Sequence, residues 1–188
     1  MNILLIILSI LPVCLLNRYI NNKDSEKEPK ELLKKLTKGG VYSAILVIII
    51  SFFLPLISSV FDVSRLDSMS PLELLLYTFI GVALVEESCK YYYTYKYTYN
   101  NREFDYLFDM VVYATYVSLG FALLENIIYV LSGGIHVGLI RAITAIPMHA
   151  CTGVIMGHFL GEAKCNELNK KSAKKNKILA LIVPILMH

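Results

Sequence analysis

The sequence predicts an all-α fold, a polytopic membrane helical bundle, and three observations carry that expectation. Apolar residues fill 56% of the 188 positions and charged residues 18%, with a mean hydropathy of +0.57, so the composition suits a bilayer rather than water as solvent. The apolar residues fall in long runs divided by short polar segments. Lysine and arginine gather in alternate segments, which is the pattern that membrane topology imposes. The net charge of +3 comes from those linkers. Membrane lipid is therefore an expected partner and nucleic acid is not.

The first run, Ile3 to Leu16, has no basic residue before it and no small-residue cleavage site after it, so it reads as a retained helix. A polar segment over 17–38 follows, in which Glu31 to Leu36 has the pattern of a short amphipathic helix lying on the membrane surface. Val41 to Phe61 gives the second span. Ser70 and Pro71 supply an N-cap and a first-turn proline for a third helix that reaches Tyr97. The polar turn Asn100 to Glu103 leads to a fourth span, Phe108 to Leu131, terminated by Gly133 and Gly134. Val137 to Ala163 forms the fifth. Ile178 opens a sixth run that reaches His188 after 11 residues, against the roughly 20 needed to cross a bilayer.

The expected architecture is a single transmembrane domain over 1–188, with five full spans and a truncated sixth, a core cut short at its C-terminus. The linkers lie at about 17–38, 98–107 and 164–177. With Lys96 counted beside Arg102 they carry seven, two and six basic residues, while Arg65 and Arg141 stand alone in the linkers between. That asymmetry places the N-terminus outside and the Lys-rich linkers in the cytosol. The tyrosines at 91, 92, 93, 95, 97 and 99 fit an inner aromatic belt. Cys14, Cys89, Cys151 and Cys165 show neither zinc-ligand nor disulfide spacing and are expected as buried thiols.

Ionisable groups inside spans cost about 2.5 to 3.5 kcal/mol each on insertion scales, so they mark function unless they neutralise one another. Here Glu86, Glu87 and Lys90 fall on the third helix, Glu125 with Asn126 on the fourth, Arg141 and His149 on the fifth, and His188 on the sixth. Helical rise puts Glu86 and His149 roughly 18 Å below the outer edge, and His188 about 15 Å above the inner one, all near midplane. Glu125 is expected higher, about 9 Å below the outer face. Glu86 and Lys90, at i,i+4, share a helix face. Two adjacent carboxylates in an apolar setting divide into one acid and one base, so a glutamate can activate water while a histidine assists. A Glu-Lys pair that merely neutralises itself explains Glu86 and Lys90 about equally well, and an interhelical clamp does the same for Glu125 and Asn126. His158 fits an interfacial position and His136 a solvated loop.

Four ordered blocks carry a family resemblance. Glu86-Glu87-Ser88-Cys89-Lys90 fits E-E-x-x-K, and the run from Ser118 to Asn126 fits S-L-G-F-A-x-x-E-N. Arg141-Ala142, then His149-Ala150 and Gly153 to Gly157, form a third block, and Pro184 to His188 opens P-x-L-x-H-G-x-Y-D. Over Glu86 to His188 the chain resembles the PrsW family of bacterial intramembrane proteases, relatives of the CAAX-processing proteases. Met110 stands where the family usually has glycine, and G-x-Y-D would follow His188. Little activity is expected of the chain as it stands.

The resemblance implies a multi-pass protein of the bacterial cell membrane. It would cut a single-pass membrane substrate, typically an anti-sigma factor at site 1 during a stress response. Carried over residue by residue, Glu86 and Glu87 become the essential carboxylates and His188 the essential histidine. His149 and Glu125 complete the catalytic candidates, with Lys90, Asn126 and Arg141 supporting. No cofactor is required by the leading mechanism. Its alternative is a metalloprotease that holds Zn2+ on Glu86, His149 and His188. From another class, the same charges would serve an ion- or proton-coupled transporter or a silent scaffold; the absence of an internal repeat argues against the transporter.

Overall fold

The computed structural model describes residues 3–188, with side chains from Ile7 onward apart from Leu8. Helix follows the apolar runs, and no strand occurs among the described residues. The helices are α1 (Ile3–Lys23), α2 (Lys30–Phe53), α3 (Pro71–Leu76), α4 (Val85–Thr98), α5 (Leu107–Ile143), α6 (Ala145–Leu168) and α7 (Lys174–Met187). By length and composition two helical stretches can cross a membrane, Lys30–Leu56 and Leu107–Leu168.

The start expected for the third helix is present. Ser70 Oγ accepts from the Glu73 amide at 3.3 Å, and the Ser70 amide donates to Glu73 Oε2 at 2.9 Å. This reciprocal box, with Pro71 in the first turn, satisfies donors that a helix start would leave open. From α3 the chain continues without a break into α4 through a π-helical stretch, Tyr77–Leu84. Such wide turns are rare and cluster at functional sites. This one ends at Leu84, two residues before Glu86.

Several expectations need correction. Glu31 to Leu36 is not a separate surface helix: it forms the first turns of α2, with Leu32, Leu33 and Leu36 buried. The second span ends at Phe53, and short 3-10 turns occupy 54–68. The linkers shrink to 24–29 and 169–173 because α1, α2, α6 and α7 all run further than hydropathy indicates. Polar residues extend a helix readily once one of its faces is packed. Part of the tyrosine run is a packed ladder, with Tyr95 and Tyr99 stacked at 4.3 Å and Tyr99 fully buried, while Tyr92 is exposed. Of the cysteines, Cys89 is buried while Cys14 and Cys151 are exposed.

Gly134 does not end the fourth helix so much as fold it back. Its φ of 72° lies in the left-handed region, where glycine carries no Cβ penalty. Helix resumes to Ile143, and α6 begins at Ala145, not Val137.

The surface is inverted relative to that of a water-soluble protein, while the apolar core admits small polar residues. Phe52, Leu56, Ile57 and Ile143 are exposed, whereas Ser43, Thr94, Thr98, Thr115, Ser118 and Thr152 are buried. In lipid the exterior gains nothing from being polar, and close helix contacts favour small residues. α5 sits at the centre against α6, α2 and α1. Where α2 crosses α5, a Cβ on Gly40 would collide with the Val117 carbonyl, and one on Gly120 with the Thr37 carbonyl. On the side of the basic linkers, Lys177 bonds Glu167 at 2.8 Å and lies 4.5 Å over the Tyr99 ring, which fixes the α6–α7 turn. In the 24–29 linker, burial pushes the Glu28 carboxyl up to about 7.

Gly40→Ala should therefore destabilise the bundle by about 1–3 kcal/mol, the usual range for overpacking. Gly39→Ala should cost less, because its Cβ would meet only the movable edge of the Tyr97 ring at 2.8 Å. Denaturant unfolding in detergent, followed by helical circular dichroism, checks the difference.

Candidate active site

The site is assembled on α4, α5, α6 and α7. α4 projects Glu86, Glu87 and Lys90 inward from its first turns, and all three are buried. Lys90 Nζ lies 2.9 Å from Glu87 Oε1 and 3.6 Å from Glu86 Oε2. The i,i+3 partner is thus closer than the expected i,i+4 one. The same ammonium is 3.1 Å from His149 Nδ1 and 4.3 Å over the Phe121 ring. A buried ammonium is tolerated only with this degree of pairing.

Both histidines rest on a carboxylate. His188 Nδ1 lies 2.9 Å from Glu87 Oε1, and its Nε2 is 3.6 Å from Glu86 Oε2. His149 Nε2 lies 2.9 Å from Glu125 Oε2. The partners assign the neutral tautomers: His188 donates through Nδ1 to Glu87, and His149 through Nε2 to Glu125. The opposite nitrogens, His188 Nε2 and His149 Nδ1, keep their lone pairs. The rings stand edge to face at 5.4 Å.

Glu125 is not a turn above this group, as depth counting places it, but in contact with it. The fold-back at Gly134 explains the error. Sixteen residues of straight helix would separate Glu125 from Arg141 by about 24 Å, yet Arg141 Nη2 donates to Glu125 Oε2 at 2.7 Å. Arg141 Nε also donates to Asn126 Oδ1 at 3.0 Å, and Asn126 Nδ2 donates to the Ser9 carbonyl, tying α1 in. Arg141 stacks over Tyr129 at 4.2 Å.

Every sequence-derived candidate therefore falls into one connected network. Sequence reasoning placed Ser118 and Phe121 in a motif without giving either a role, and passed over Tyr129; the Ser118 hydroxyl donates to the His149 carbonyl at 2.6 Å. The signal available for Ser118 was its place two turns before Glu125 on a small-residue face. His136 and His158 are exposed and stand apart.

Two cavities reach Glu86 between α2 and the helices opposite. One, of about 300 Å3, is bordered by Ser51, Phe61, Tyr77, Gly81 and Tyr129. The other, of about 260 Å3, is bordered by Ala44, Val47, Phe121, Glu125 and Tyr129. Glu87 borders neither. Glu86 Oε2 and Glu87 Oε2 are buried and no hydrogen-bond donor reaches them.

Residues 28–188 match the family described as PrsW family intramembrane metalloprotease. The chain belongs to the PrsW family of proteases. It is 37% identical to Protease PrsW of Oceanobacillus iheyensis over 179 residues, 95% of this chain and 77% of that one. It is 29% identical to Protease PrsW of Clostridioides difficile over 189 residues, 98% of this chain and 76% of the relative. With Protease PrsW of Bacillus subtilis it shares 39% identity over 111 residues, 59% of this chain and 50% of the relative. No solved structure matches the chain.

The family description implies a metal, and the donor set can be tested for one. Glu86, His149 and His188 each offer a ligand atom, all within 4.8 Å of one another. Two histidines and a carboxylate are a common zinc set, and a carboxylate behind each histidine is the usual second layer of support. The donor-less Glu86 Oε2 completes the fit.

Lys90→Met should cost about 3–5 kcal/mol of stability by leaving buried charge uncompensated. Adding Glu87→Gln should recover part of that loss. A double-mutant cycle on unfolding midpoints checks the coupling.

Proposed function

We propose that this protease hydrolyses a peptide bond of a single-pass membrane protein inside the bilayer of the bacterial cell membrane, with an anti-sigma factor as the substrate. Glu86 carries this reading. It is the carboxylate that borders both cavities, a nitrogen of each of two histidines lies within 4.8 Å of one of its oxygens, and its Oε2 meets no donor.

A divalent ion held by Glu86, His149 and His188 would polarise the scissile carbonyl and acidify an attacking water. The other groups prepare that chemistry. Glu87 fixes the His188 ring and Glu125 fixes the His149 ring, and a nitrogen of each lies within 4.8 Å of a Glu86 oxygen. Arg141 and Asn126 hold Glu125 in turn. The Lys90 ammonium balances Glu87 and supplies positive charge beside the developing oxyanion. Without an ion on it, His188 Nε2, 3.6 Å from Glu86 Oε2, would take the proton that Glu86 draws from water and pass it to the leaving amine. Buried apolar walls keep bulk water away.

A second mechanism, in which Glu86 deprotonates water without an ion, is favoured by one contact: Lys90 Nζ, 3.1 Å from His149 Nδ1, engages the lone pair a metal would need. The multi-pass arrangement with the N-terminus outside, as one membrane domain, rests on the alternation of basic linkers and on the inverted surface. A transporter or scaffold remains the reading from another class.

The test is reconstitution of the full-length protein in vesicles with a single-span anti-sigma substrate. Wild type should cut it, and Glu86→Ala, Glu87→Ala and His188→Ala should each lower the rate by about a hundredfold or more. A chelator should abolish cleavage and zinc restore it; chelator-resistant cleavage would select the metal-free mechanism. Cleavage that survives all three substitutions would remove these residues from the reaction. Proton flux without any cleavage would favour a relay.

A further inference from the structure

A second group of buried acids lies far from Glu86. Asp24 and Glu28 come from the linker between α1 and α2, and Asp109 from the first turn of α5. They are 5%, 9% and 1% exposed. One carboxylate oxygen from each lies within 4.8 Å of the other two. Ligands of a single cation cannot be further apart than twice the metal–oxygen distance, about 5 Å for Ca2+. The three oxygens meet that limit without rearrangement.

The group has no positive partner. Among the described residues, no lysine, arginine or histidine forms an ion pair with any of the three. Of the two adjacent lysines, Lys27 donates instead to the backbone carbonyls of Asn21 and Asp24, and Lys23 lies over the Tyr19 ring. Glu28 Oε2 accepts from the Tyr113 hydroxyl at 2.7 Å, and Asp109 Oδ2 accepts from the amides of Asp105 and Tyr106. Asp24 has no such support. It is more than nine-tenths buried, its carboxylate faces the other two, and its Oδ2 meets no donor. Uncompensated buried charge of this kind costs several kcal/mol per ion.

We infer that Asp24, Glu28 and Asp109 form a site for a hard divalent cation of the Ca2+ type, separate from the candidate active site. All-carboxylate donors select hard cations over zinc, whereas the Glu86 site with its two histidines selects zinc-like ions. Asp109 and Glu125 are sixteen residues apart on α5, about 24 Å, so the two sites do not share ligands. The bound cation clasps the α1–α2 linker to the start of the helix that carries Glu125 and Asn126.

The protein is titrated with Tb3+, excited through its tyrosines, with Tyr113 in contact with the site. Wild type is expected to give saturable luminescence that Ca2+ displaces. Asp24→Asn and Glu28→Gln should each weaken Tb3+ binding by about tenfold or more, while Glu86→Gln retains it. Independently of any variant, Ca2+ should raise the thermal unfolding temperature of wild type. Each neutralising variant removes a buried negative charge, so helicity and elution should stay those of wild type. Luminescence that is absent, or unchanged in both Asp24→Asn and Glu28→Gln, overturns the site, as does a wild type that Ca2+ does not stabilise.

Discussion

Charge that cannot reach water must be matched by charge, and the interior of this bundle is arranged around that requirement. The Lys90 ammonium is the point where it is met: Glu87, Glu86 and His149 surround it on three sides and the Phe121 ring covers it. α4 supplies the lysine and both glutamates, α6 one histidine and α7 the other. Drawing any one of these helices away strands charge in a medium where an unpaired ion is costly. The polar network therefore does for these helices what a hydrophobic core does in water, where lipid offers no comparable drive.

The same requirement explains why positioning groups outnumber reacting ones. Each histidine has two nitrogens, and a ring left to choose its own tautomer would present the wrong one part of the time. Glu87 and Glu125 remove that choice. Behind Glu125 stand Arg141 and Asn126, and behind Asn126 the carbonyl of Ser9. The chain of support reaches from the reacting centre to the first helix, so α1 contributes to the site through a backbone carbonyl.

Much of this was legible in the sequence, because a charge inside an apolar run is conspicuous and helical rise converts position into depth. Glu86, His149 and His188 share a level by that arithmetic, and they do lie together. Glu125 was misplaced because depth counting assumes straight helices, and nothing in Gly133-Gly134 distinguishes a stop from a reversal. The Lys90 partner was misjudged for a related reason: i,i+3 and i,i+4 neighbours are near-equivalent in spacing, and only packing chooses. The π-helical stretch before Glu86 had no sequence signal at all. Helix ends were drawn too short because the polar residues of the linkers gain their order from tertiary contact, which composition does not register.

The glycine contact between α2 and α5 also sets the shape of the route to Glu86. Gly40 and Gly120 hold the two backbones together, and the cavities that reach Glu86 lie further along, where α2 and α5 border them at Val47, Ser51 and Tyr129. Those cavities, of about 260 and 300 Å3, each hold less than one turn of an intact helix some 10 Å across. A polypeptide admitted by this route would have to arrive unwound, as a strand-like thread. Selection at such an opening would weigh how readily a segment gives up its helical hydrogen bonds, more than which side chains it bears.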